Sequence, residues 1–466
     1  MGKTLFKNAI VVTMDPGRRV LFGGSVLVDG GRIASVLAAG EEPPAADATL
    51  DCSGKILLPG FVDTHTHLFQ TLLKGLGDDM ALDRWLSTMT FPAARFLEPE
   101  HCYWAAASGL LEALRSGVTT TIDYMYPHNR GGLSDAVISA FADLGVRGVF
   151  GRGWIDAGEE YGVPREIMQG SAEVEKDALR LLDAYHDPTS GMMRIWLAPA
   201  AFWLCSRESL EAMRRVKEAY RTGLTVHVSE TPFDREATLK THGSTDAEMM
   251  EEIGLAAPDT LMVHCVFLTE RDRRMAAANG VKVSHNAASN MYLSSGVAPV
   301  PAMLAQGICV GLGLDGAASN NSQDMLELMK LTALLHKVSS RDPTVITAER
   351  VLEMATIDGA RCLGMEAEIG SIEEGKRADL VVFDPKRSPK AVPLHNPAST
   401  VVYSSSDRNV EAVMVDGRML IEGGVFVGGL GEDRILAQCQ RAAEELVRLG
   451  GIENRMAAHR WRSTAY

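Results

Sequence analysis

Short apolar runs alternate with amphipathic stretches through the middle of the chain. Between residues 61 and 360, eight β-rich runs are separated by helical stretches of ordinary globular length. The predicted strands cover residues 60–63, 119–123, 147–151, 193–198, 224–228, 260–264, 281–284 and 309–313. Eight successive βα units favour a closed (β/α)8 barrel over an open, doubly wound sheet.

Hairpin patterns occur at both ends of the chain. Near the amino terminus, apolar runs at 9–14 and 25–29 are followed by an Asp-Gly turn. Near the carboxyl terminus, the run at 378–383 is followed by a run at 410–418 that ends in a second Asp-Gly turn. The pattern therefore predicts an α/β fold: a TIM barrel with a small composite β-sandwich domain formed from both chain ends. The predicted domains are residues 1–60 with 361–430, the inserted barrel at 61–360, and a helical tail at 431–466.

Composition narrows the class of protein. The 466 residues carry 46 Lys+Arg against 60 Asp+Glu, a net charge of −14, which argues against a nucleic-acid binder. No apolar run approaches the roughly 18 residues of a membrane span, and the first residues do not resemble a signal peptide. Seven scattered cysteines without a CxxC pair predict neither disulfides nor a thiolate zinc site. We therefore expect a cytoplasmic enzyme that does not act at a membrane.

The strongest local motif is a pair of histidines at the end of the first barrel strand. His65 and His67 are two residues apart. Side chains at i and i+2 of a strand point to the same side, so both imidazoles would converge on one point. Such convergence is what a pair of metal ligands requires.

Four other polar residues also close predicted strands. They are His227, His264, His285 and Asp315, separated by 37, 21 and 30 residues, each close to the length of one βα unit. Active sites of these barrels lie at the carboxyl ends of the strands. Neutral imidazoles with one carboxylate suit a divalent ion such as Zn²⁺, with Fe²⁺ as the alternative, and either ion can activate water.

Glu230 lies three residues beyond His227, where it can enter the same cavity without binding the metal. A carboxyl group there can move a proton to a ring nitrogen if burial raises its pKa. The remaining histidines lie in predicted helices or loops and are interpreted as solvated or capping residues, with His128 as a candidate pocket residue. They are His101, His128, His186, His242, His336, His395 and His459.

Longer motifs resemble those of a known family. The chain resembles the amidohydrolase superfamily along nearly its whole length, specifically the cytosine-deaminase-like branch that contains atrazine chlorohydrolase, melamine deaminase and the S-adenosylhomocysteine/methylthioadenosine deaminases. The motifs that carry the resemblance are LPGFVDTHTH at 58–67, HVSE at 227–230, SNMYLSSGVAPV at 289–300, DGAASNN at 315–321 and IGSIEEGKRADL at 369–380. The Trp461-Arg462-Ser463 ending adds to them.

The resemblance implies a role for each candidate residue. The metal ligands would be His65, His67, His227 and Asp315, with His264 as a further ligand or close polar contact. Glu230 would protonate the substrate ring, His285 would orient the attacking hydroxide, and Asp315 would carry its proton to the leaving amine. Because residues 193–198 contain no lysine that could bridge two ions, one metal ion is expected. The resemblance also implies a homo-oligomer.

Departures from the relatives bear on the substrate. The triazine enzymes carry Gln at the position of His285 and Asn or Asp at that of Gly316, so the residues here follow the pattern of ordinary deaminases. The nucleoside-processing relatives carry a His and an acidic residue where this chain has Ala200 and Ala94. The prediction is therefore hydrolytic deamination of an amino-substituted nitrogen heteroaromatic ring of s-triazine, purine or pterin type, with release of ammonia.

Two alternatives stay open, dechlorination of chloro-s-triazines and deamination of nucleosides of the S-adenosylhomocysteine/methylthioadenosine type. Gln70 is predicted to hydrogen-bond the heterocycle. The predicted walls of the substrate pocket are the aromatic side chains Phe69, Trp85, Phe202 and Trp203.

Overall fold

Strands from the two ends of the chain meet in one sheet. The computed structural model describes residues 2–189 and 191–453. The amino-terminal strands are β1 (Thr4–Val12), β2 (Val20–Asp29), β3 (Arg32–Leu37), β4 (Ala48–Asp51) and β5 (Ile56–Pro59). The barrel strands are β6 (Phe61–Thr66), β7 (Val118–Met125), β8 (Arg147–Trp154), β9 (Met193–Pro199), β10 (Leu224–Val228), β11 (Thr260–His264), β12 (Lys282–His285) and β13 (Val310–Leu312). The carboxyl-terminal strands are β14 (Leu380–Phe383), β15 (Val410–Val415), β16 (Arg418–Glu422) and β17 (Val425–Phe426).

The predicted fold class is confirmed. The eight barrel strands are parallel neighbours in the order β13 to β6. The two ends of that sheet are joined by hydrogen bonds, from the Asp315 backbone N–H to the His65 carbonyl (2.8 Å) and from the Thr64 hydroxyl to the Leu312 carbonyl (2.8 Å). β7 and β8 are buried at every position, as expected for parallel strands covered on both faces.

The separate sheet has nine strands, with β5 from the amino-terminal segment antiparallel to β14 from the carboxyl-terminal segment. Its own core contains Phe6, Val26, Leu57, Leu380 and Met414. The division of the chain into domains at residues 60, 360 and 430 stays a prediction.

Helices follow most of the barrel strands along the chain. They are α1 (Leu82–Trp85), α2 (Phe91–Ala94), α3 (Pro99–Arg115), α4 (Leu133–Leu144), α5 (Ser171–Tyr185), α6 (Arg207–Tyr220), α7 (Pro232–His242), α8 (Asp246–Glu252), α9 (Glu270–Ala278), α10 (Ala287–Tyr292), α11 (Val300–Ala305), α12 (Met325–Ser340), α13 (Ala348–Met354), α14 (Ile357–Cys362), α15 (Pro397–Tyr403) and α16 (Glu432–Gly450). None of the helices in the described ranges combines the length and apolar character that crossing a bilayer requires. His459, the 461–463 motif and the end of the predicted tail lie outside the described residues.

Local sequence explains where several helices begin. Thr231 and Asp234 form a capping box at the start of α7, and Thr269 with Asp272 does the same for α9. Gly60, between β5 and β6, lies so close to β7 that a Cβ there would be 2.1 Å from the Thr119 hydroxyl oxygen. The absence of a side chain at residue 60 therefore lets the chain pass from the sheet into the barrel.

A buried ion pair joins the barrel to the sheet. Arg147, at the start of β8, donates through Nε and Nη2 to the two carboxylate oxygens of Asp379 at 2.8 and 2.9 Å. Both side chains are almost fully buried. The pair therefore links the amino-terminal end of the barrel strands to the start of β14.

Replacing Asp379 with Ala is expected to lower the free energy of unfolding by about 3–5 kcal/mol, because the buried Arg147 charge would lose its bidentate carboxylate, although the longer contact with Asp416 at 3.4 Å remains. Denaturant unfolding measures the change. Arg274→Ala, which removes the exposed Arg274–Glu270 pair, is the matched control and should cost about 0.5 kcal/mol or less. A loss below 1 kcal/mol for Asp379→Ala would contradict the role given to the pair.

Candidate active site

The two histidines of β6 meet the aspartate that follows β13. His65 Nε2 lies 3.4 Å from Asp315 Oδ1, and His67 Nε2 lies 3.5 Å from the same oxygen. These three residues are buried and offer ligand atoms that all lie within 4.8 Å of one another. The structure therefore brings the HxH motif and the strand-eight aspartate together.

Two further imidazoles complete the cluster from β10 and β11. His227 Nε2 lies 3.3 Å from His65 Nε2, and His264 Nε2 lies 3.9 Å from Asp315 Oδ2. Ligand atoms of His65, His227 and His264 also lie within 4.8 Å of one another. All five residues predicted as ligands converge at the carboxyl ends of their strands.

The outer nitrogens of three histidines are held by polar partners. His67 Nδ1 donates to the Tyr124 carbonyl and His227 Nδ1 to the Ala200 carbonyl, both at 2.5 Å. His264 Nδ1 lies 2.9 Å from the Asn290 side-chain oxygen. A proton on Nδ1 leaves a lone pair on Nε2 directed into the cluster, which is the usual arrangement around a metal-binding histidine.

Left-handed backbone conformations occur at three of these strand ends. Ser229, His264 and Asp315 all have positive φ values, of 47°, 68° and 60°. Residues other than glycine rarely adopt this conformation, and such strain clusters at functional sites. Each of these residues ends or follows a strand that supplies the cluster. The strained backbone therefore lies where side chains are directed into the cluster.

The protonation states of the histidine and aspartate cluster suit a bound cation. Burial lowers the pKa of His65 and of His67 to about 3, so both rings are neutral at pH 7 with free lone pairs. Burial alone would raise the pKa of Asp315, but the contacts with His65 and the other histidines outweigh it and hold that pKa well below its usual range. Neutral imidazoles around an ionised carboxylate are a donor set that Zn²⁺ or Fe²⁺ accepts.

Glu230 enters the cluster without joining the ligand groups. Its Oε2 lies 3.5 Å from His264 Nε2, and its Oε1 accepts a hydrogen bond from the Ser295 hydroxyl at 2.9 Å. Burial raises the pKa of the Glu230 carboxyl to about 7. A carboxyl with such a pKa can donate a proton at neutral pH and take it back.

His285 and His336 differ from their sequence-based interpretation. His285 Nε2 lies 3.0 Å from Nε2 of His336 on α12, and His285 is not among the residues that line the cavity. His336 is buried, not solvated, because its ring lies against His285 at the end of β12. His128 is also buried away from the cavity, beside Arg152 and Ser134.

A cavity with mainly apolar walls opens onto the cluster. Its lining residues, besides His67, His227, Glu230, His264 and Asp315, are Gln70, Leu82, Trp85, Leu86, Phe91, Tyr126, Ala200, Ala201, Trp203, Leu204, Asp234, Leu293 and Ser319. Gln70, Trp85 and Trp203 therefore lie where the sequence predicts a pocket. Phe69, Phe202 and Ala94 belong to the packed core instead of the lining.

Three residues near this cavity were missed by the sequence analysis. Tyr126 lines the cavity one residue beyond β7, and alternation from Tyr124 could have indicated it. Asp234 also lines the cavity and accepts a hydrogen bond from the Trp203 indole at 3.0 Å. Asp234 also forms the capping box at the start of α7, which gives it a structural role as well. Ser295, which holds Glu230, has no signal in the sequence beyond its place in the 289–300 motif.

Comparisons with known proteins found a matching family model and similar sequences. Residues 56–420 match the model of the Amidohydrolase family. One relative is a 5′-deoxyadenosine deaminase from Methanothermobacter thermautotrophicus, 39% identical over 423 residues that span 91% of this chain and 95% of that protein. Another is a 5-methylthioadenosine/S-adenosylhomocysteine deaminase from Desulforudis audaxviator, 37% identical over 447 residues that span 96% and 99% of the two chains.

Solved structures share the whole architecture. Atrazine chlorohydrolase TrzN from Arthrobacter aurescens TC1, complexed with zinc, is 28% identical with a TM-score of 0.88, covering 94% of this chain and 100% of that one. An adenosine deaminase from Xanthomonas campestris with bound zinc has the same identity and TM-score, covering 96% and 98%. Zinc is thus present in two structures with this fold.

Proposed function

Because this chain belongs to the amidohydrolase family, we propose that its cavity hydrolyses the bond between an exocyclic amine and a carbon of a nitrogen heteroaromatic ring. The observation that carries the proposal is the buried carboxyl of Glu230 beside a cluster of four histidines and one aspartate. Water supplies the oxygen that replaces the amine, and ammonia leaves. The enzyme is therefore a hydrolase of non-peptide C–N bonds.

The ligands for one divalent ion would be His65, His67, His227 and Asp315. An ion bound there would lower the pKa of a coordinated water to about 7 and so supply the nucleophile. Zinc is the proposed metal and iron the alternative, since both accept this donor set.

The chain's own carboxyl groups move the protons. Glu230 donates its proton to the ring nitrogen next to the amine-bearing carbon, which makes that carbon more electrophilic. Asp315, ionised in the cluster, accepts the proton of the attacking water and passes it to the departing amine. The C–O bond forms and the C–N bond breaks, and the remaining proton of the new hydroxyl returns to Glu230 as the ring carbonyl forms, so there is no net change of charge.

His264, instead of the predicted His285, is proposed to orient the attacking oxygen. Its Nε2 lies between the carboxylates of Glu230 and Asp315, at 3.5 and 3.9 Å. Burial would lower the pKa of His264, but these two carboxylates raise it. A ring in that position can hydrogen-bond both the attacking oxygen and the oxyanion that follows.

The mainly apolar walls of the cavity favour a flat aromatic ring as substrate. Trp85 and Trp203 are fixed by indole hydrogen bonds to the Ala318 carbonyl and to Asp234, both at 3.0 Å. Ala200 supplies only a methyl group to the lining. These features support a nucleobase-like or triazine-like ring, whereas the deaminase relatives support a second candidate, a nucleoside of the 5′-deoxyadenosine or methylthioadenosine/S-adenosylhomocysteine type.

The test is ammonia release by zinc-loaded protein from aminotriazines, aminopurines, aminopterins, aminopyrimidines and 5′-deoxyadenosine, with chloride release from chlorotriazines followed in parallel. We expect ammonia from one ring class. Preference for 5′-deoxyadenosine over adenine would favour the nucleoside candidate. Chloride without ammonia, or neither product with metal bound, would contradict the proposal.

We also propose a cytoplasmic location and a homo-oligomer. The seven cysteines are free, which suits a reducing compartment. Exposed apolar side chains on α12, Leu334 and Val338, support contact between copies. Light scattering coupled to size-exclusion chromatography measures the oligomeric state.

A further inference from the structure

Asn290 holds the ring of His264 from outside the cavity. It lies on α10, the helix that follows β12, and its side-chain oxygen is 2.9 Å from His264 Nδ1. Asn290 is fully buried and does not belong to the lining of the cavity. Because a carbonyl oxygen can only accept a hydrogen bond, Nδ1 carries a proton and Nε2 is the atom that His264 directs at Glu230 and Asp315.

Ser295 holds Glu230 in a comparable way. Its hydroxyl donates to Glu230 Oε1 at 2.9 Å, whereas Glu230 Oε2 lies 3.5 Å from His264 Nε2. Ser295 is buried and also lies outside the lining of the cavity. A carboxyl oxygen that accepts a hydrogen bond keeps more of the negative charge, so the transferable proton of Glu230 belongs on Oε2, the oxygen on the His264 side.

One turn fixes Asn290 and Ser295 relative to each other. Helix α10 ends in a Schellman motif, in which the Ser295 N–H donates to the Asn290 carbonyl at 2.9 Å and the Ser294 N–H to the Met291 carbonyl at 3.2 Å. Ser294 has a φ of 56°, the left-handed conformation that this motif requires. The backbone of the turn therefore fixes the spacing between the acceptor on the histidine and the donor on the carboxyl group.

We propose that the turn at residues 290–295 positions both proton-handling side chains of the cavity: Asn290 keeps a proton of His264 on Nδ1, and Ser295 directs the transferable proton of Glu230 to Oε2. Asn290 and Ser295 are positioning residues, since neither lines the cavity. This inference rests on the proposed function. The two positioned groups come from different strands, the ends of β11 and β10, and a single segment after β12 keeps them aligned.

Asn290→Leu removes the acceptor at similar volume. It is expected to lower kcat by about 10- to 100-fold while KM changes by less than about threefold, because the ring loses its support without any change to the lining of the cavity. Asn290→Asp, which offers only oxygens to the ring, should stay within about fivefold of the wild-type kcat. Steady-state kinetics of zinc-loaded protein measures both. Equal losses in the two variants, or no loss in Asn290→Leu, would overturn the role of Asn290.

Asn409→Leu is the matched control for the loss of a buried asparagine. Asn409 is fully buried at the start of β15, far along the chain, and its side chain donates to the Asp384 carbonyl at 3.0 Å. The variant should lower Tm but leave kcat at the wild-type value. Metal content and Tm, measured for every variant, show that each one folds and binds the metal.

Ser295→Ala is expected to lower kcat by about tenfold, the effect of one hydrogen bond to a carboxyl group. With Glu230→Gln already present, the same change should alter kcat by less than about threefold, because the proton transfer is already lost. Ser289→Ala on α10 is the matched control, since the Ser289 hydroxyl is buried and has no hydrogen-bond partner among the described residues. Its kcat should equal that of wild type. Full additivity of Ser295→Ala and Glu230→Gln would overturn the role of Ser295.

Nuclear magnetic resonance separates failure of the inference from failure of the proposed function, because it needs no turnover. In zinc-loaded protein with ¹⁵N-labelled histidine, the Nδ1–H signal that His264→Ala removes should persist in Asn290→Asp and disappear in Asn290→Leu. That pattern with no ammonia from any ring would support the positioning role and contradict deamination. Ammonia release, with the signal and kcat unchanged in Asn290→Leu, would contradict the positioning role alone.

Discussion

Replacing Glu230 with Gln is expected to lower kcat by about 10²–10⁴, the usual contribution of a positioned general acid or base. The amide fits the same space and can still accept from the Ser295 hydroxyl, but it cannot give a proton to the ring and recover it. Glu230 is outside the groups of ligand atoms that could hold a metal, so the metal content should stay the same. Steady-state kinetics on the best substrate, with metal analysis of the same sample, measures both.

Glu236→Gln is the matched control for this change. It makes the same chemical substitution on the exposed face of α7, six residues along the chain. Its kcat should equal that of wild type. A Glu230→Gln variant with near-normal kcat would remove Glu230 from the proton transfer, and a variant without metal would make it a ligand.

Replacing Asp315 with Asn is expected to abolish turnover, with a loss on the order of 10⁴ or more, because it affects both the metal site and the proton carrier. The neutral amide no longer offers an ionised oxygen to the two histidines of β6, each within 3.5 Å of Asp315 Oδ1. The metal bound per chain should fall well below the wild-type value. Elemental analysis of the purified protein measures it.

Removing the metal with a chelator separates the metal-binding role of Asp315 from its role in proton transfer. Wild type stripped by a chelator should lose activity and recover it when Zn²⁺ or Fe²⁺ is added, whereas Asp315→Asn should not recover at any metal concentration. Asp433→Asn, on the exposed side of α16, makes the same substitution far along the chain and should behave as wild type. Full metal content and near-normal activity in Asp315→Asn would refute both assignments.

Much of the fold followed from periodicity. The eight predicted barrel strands overlap the eight observed ones, because a parallel strand buried on both faces is a nearly continuous apolar run, as in β7 and β8. The composite sheet followed from hairpin signals at both ends. The pairing of β5 with β14 depends on residues more than 300 positions apart, and no local pattern encodes such a contact.

The sequence by itself predicted the barrel and the polar residues that close its strands, because strand ends and the alternation of side chains are local properties. Which of those residues would bind a metal was implied only by the family resemblance. Only the tertiary structure decided which of two histidines lies beside Glu230 and Asp315. His264 lies beside Glu230 and Asp315, while His285 turns to His336, although both histidines close a strand. The contact between Gln70 and Gly316, where a Cβ on the glycine would lie 1.7 Å from the Gln70 side-chain oxygen, was equally hidden, because it depends on packing between the segments that follow the first and the last barrel strand. Such contacts are set by distances between elements, and these exist only once the barrel has closed.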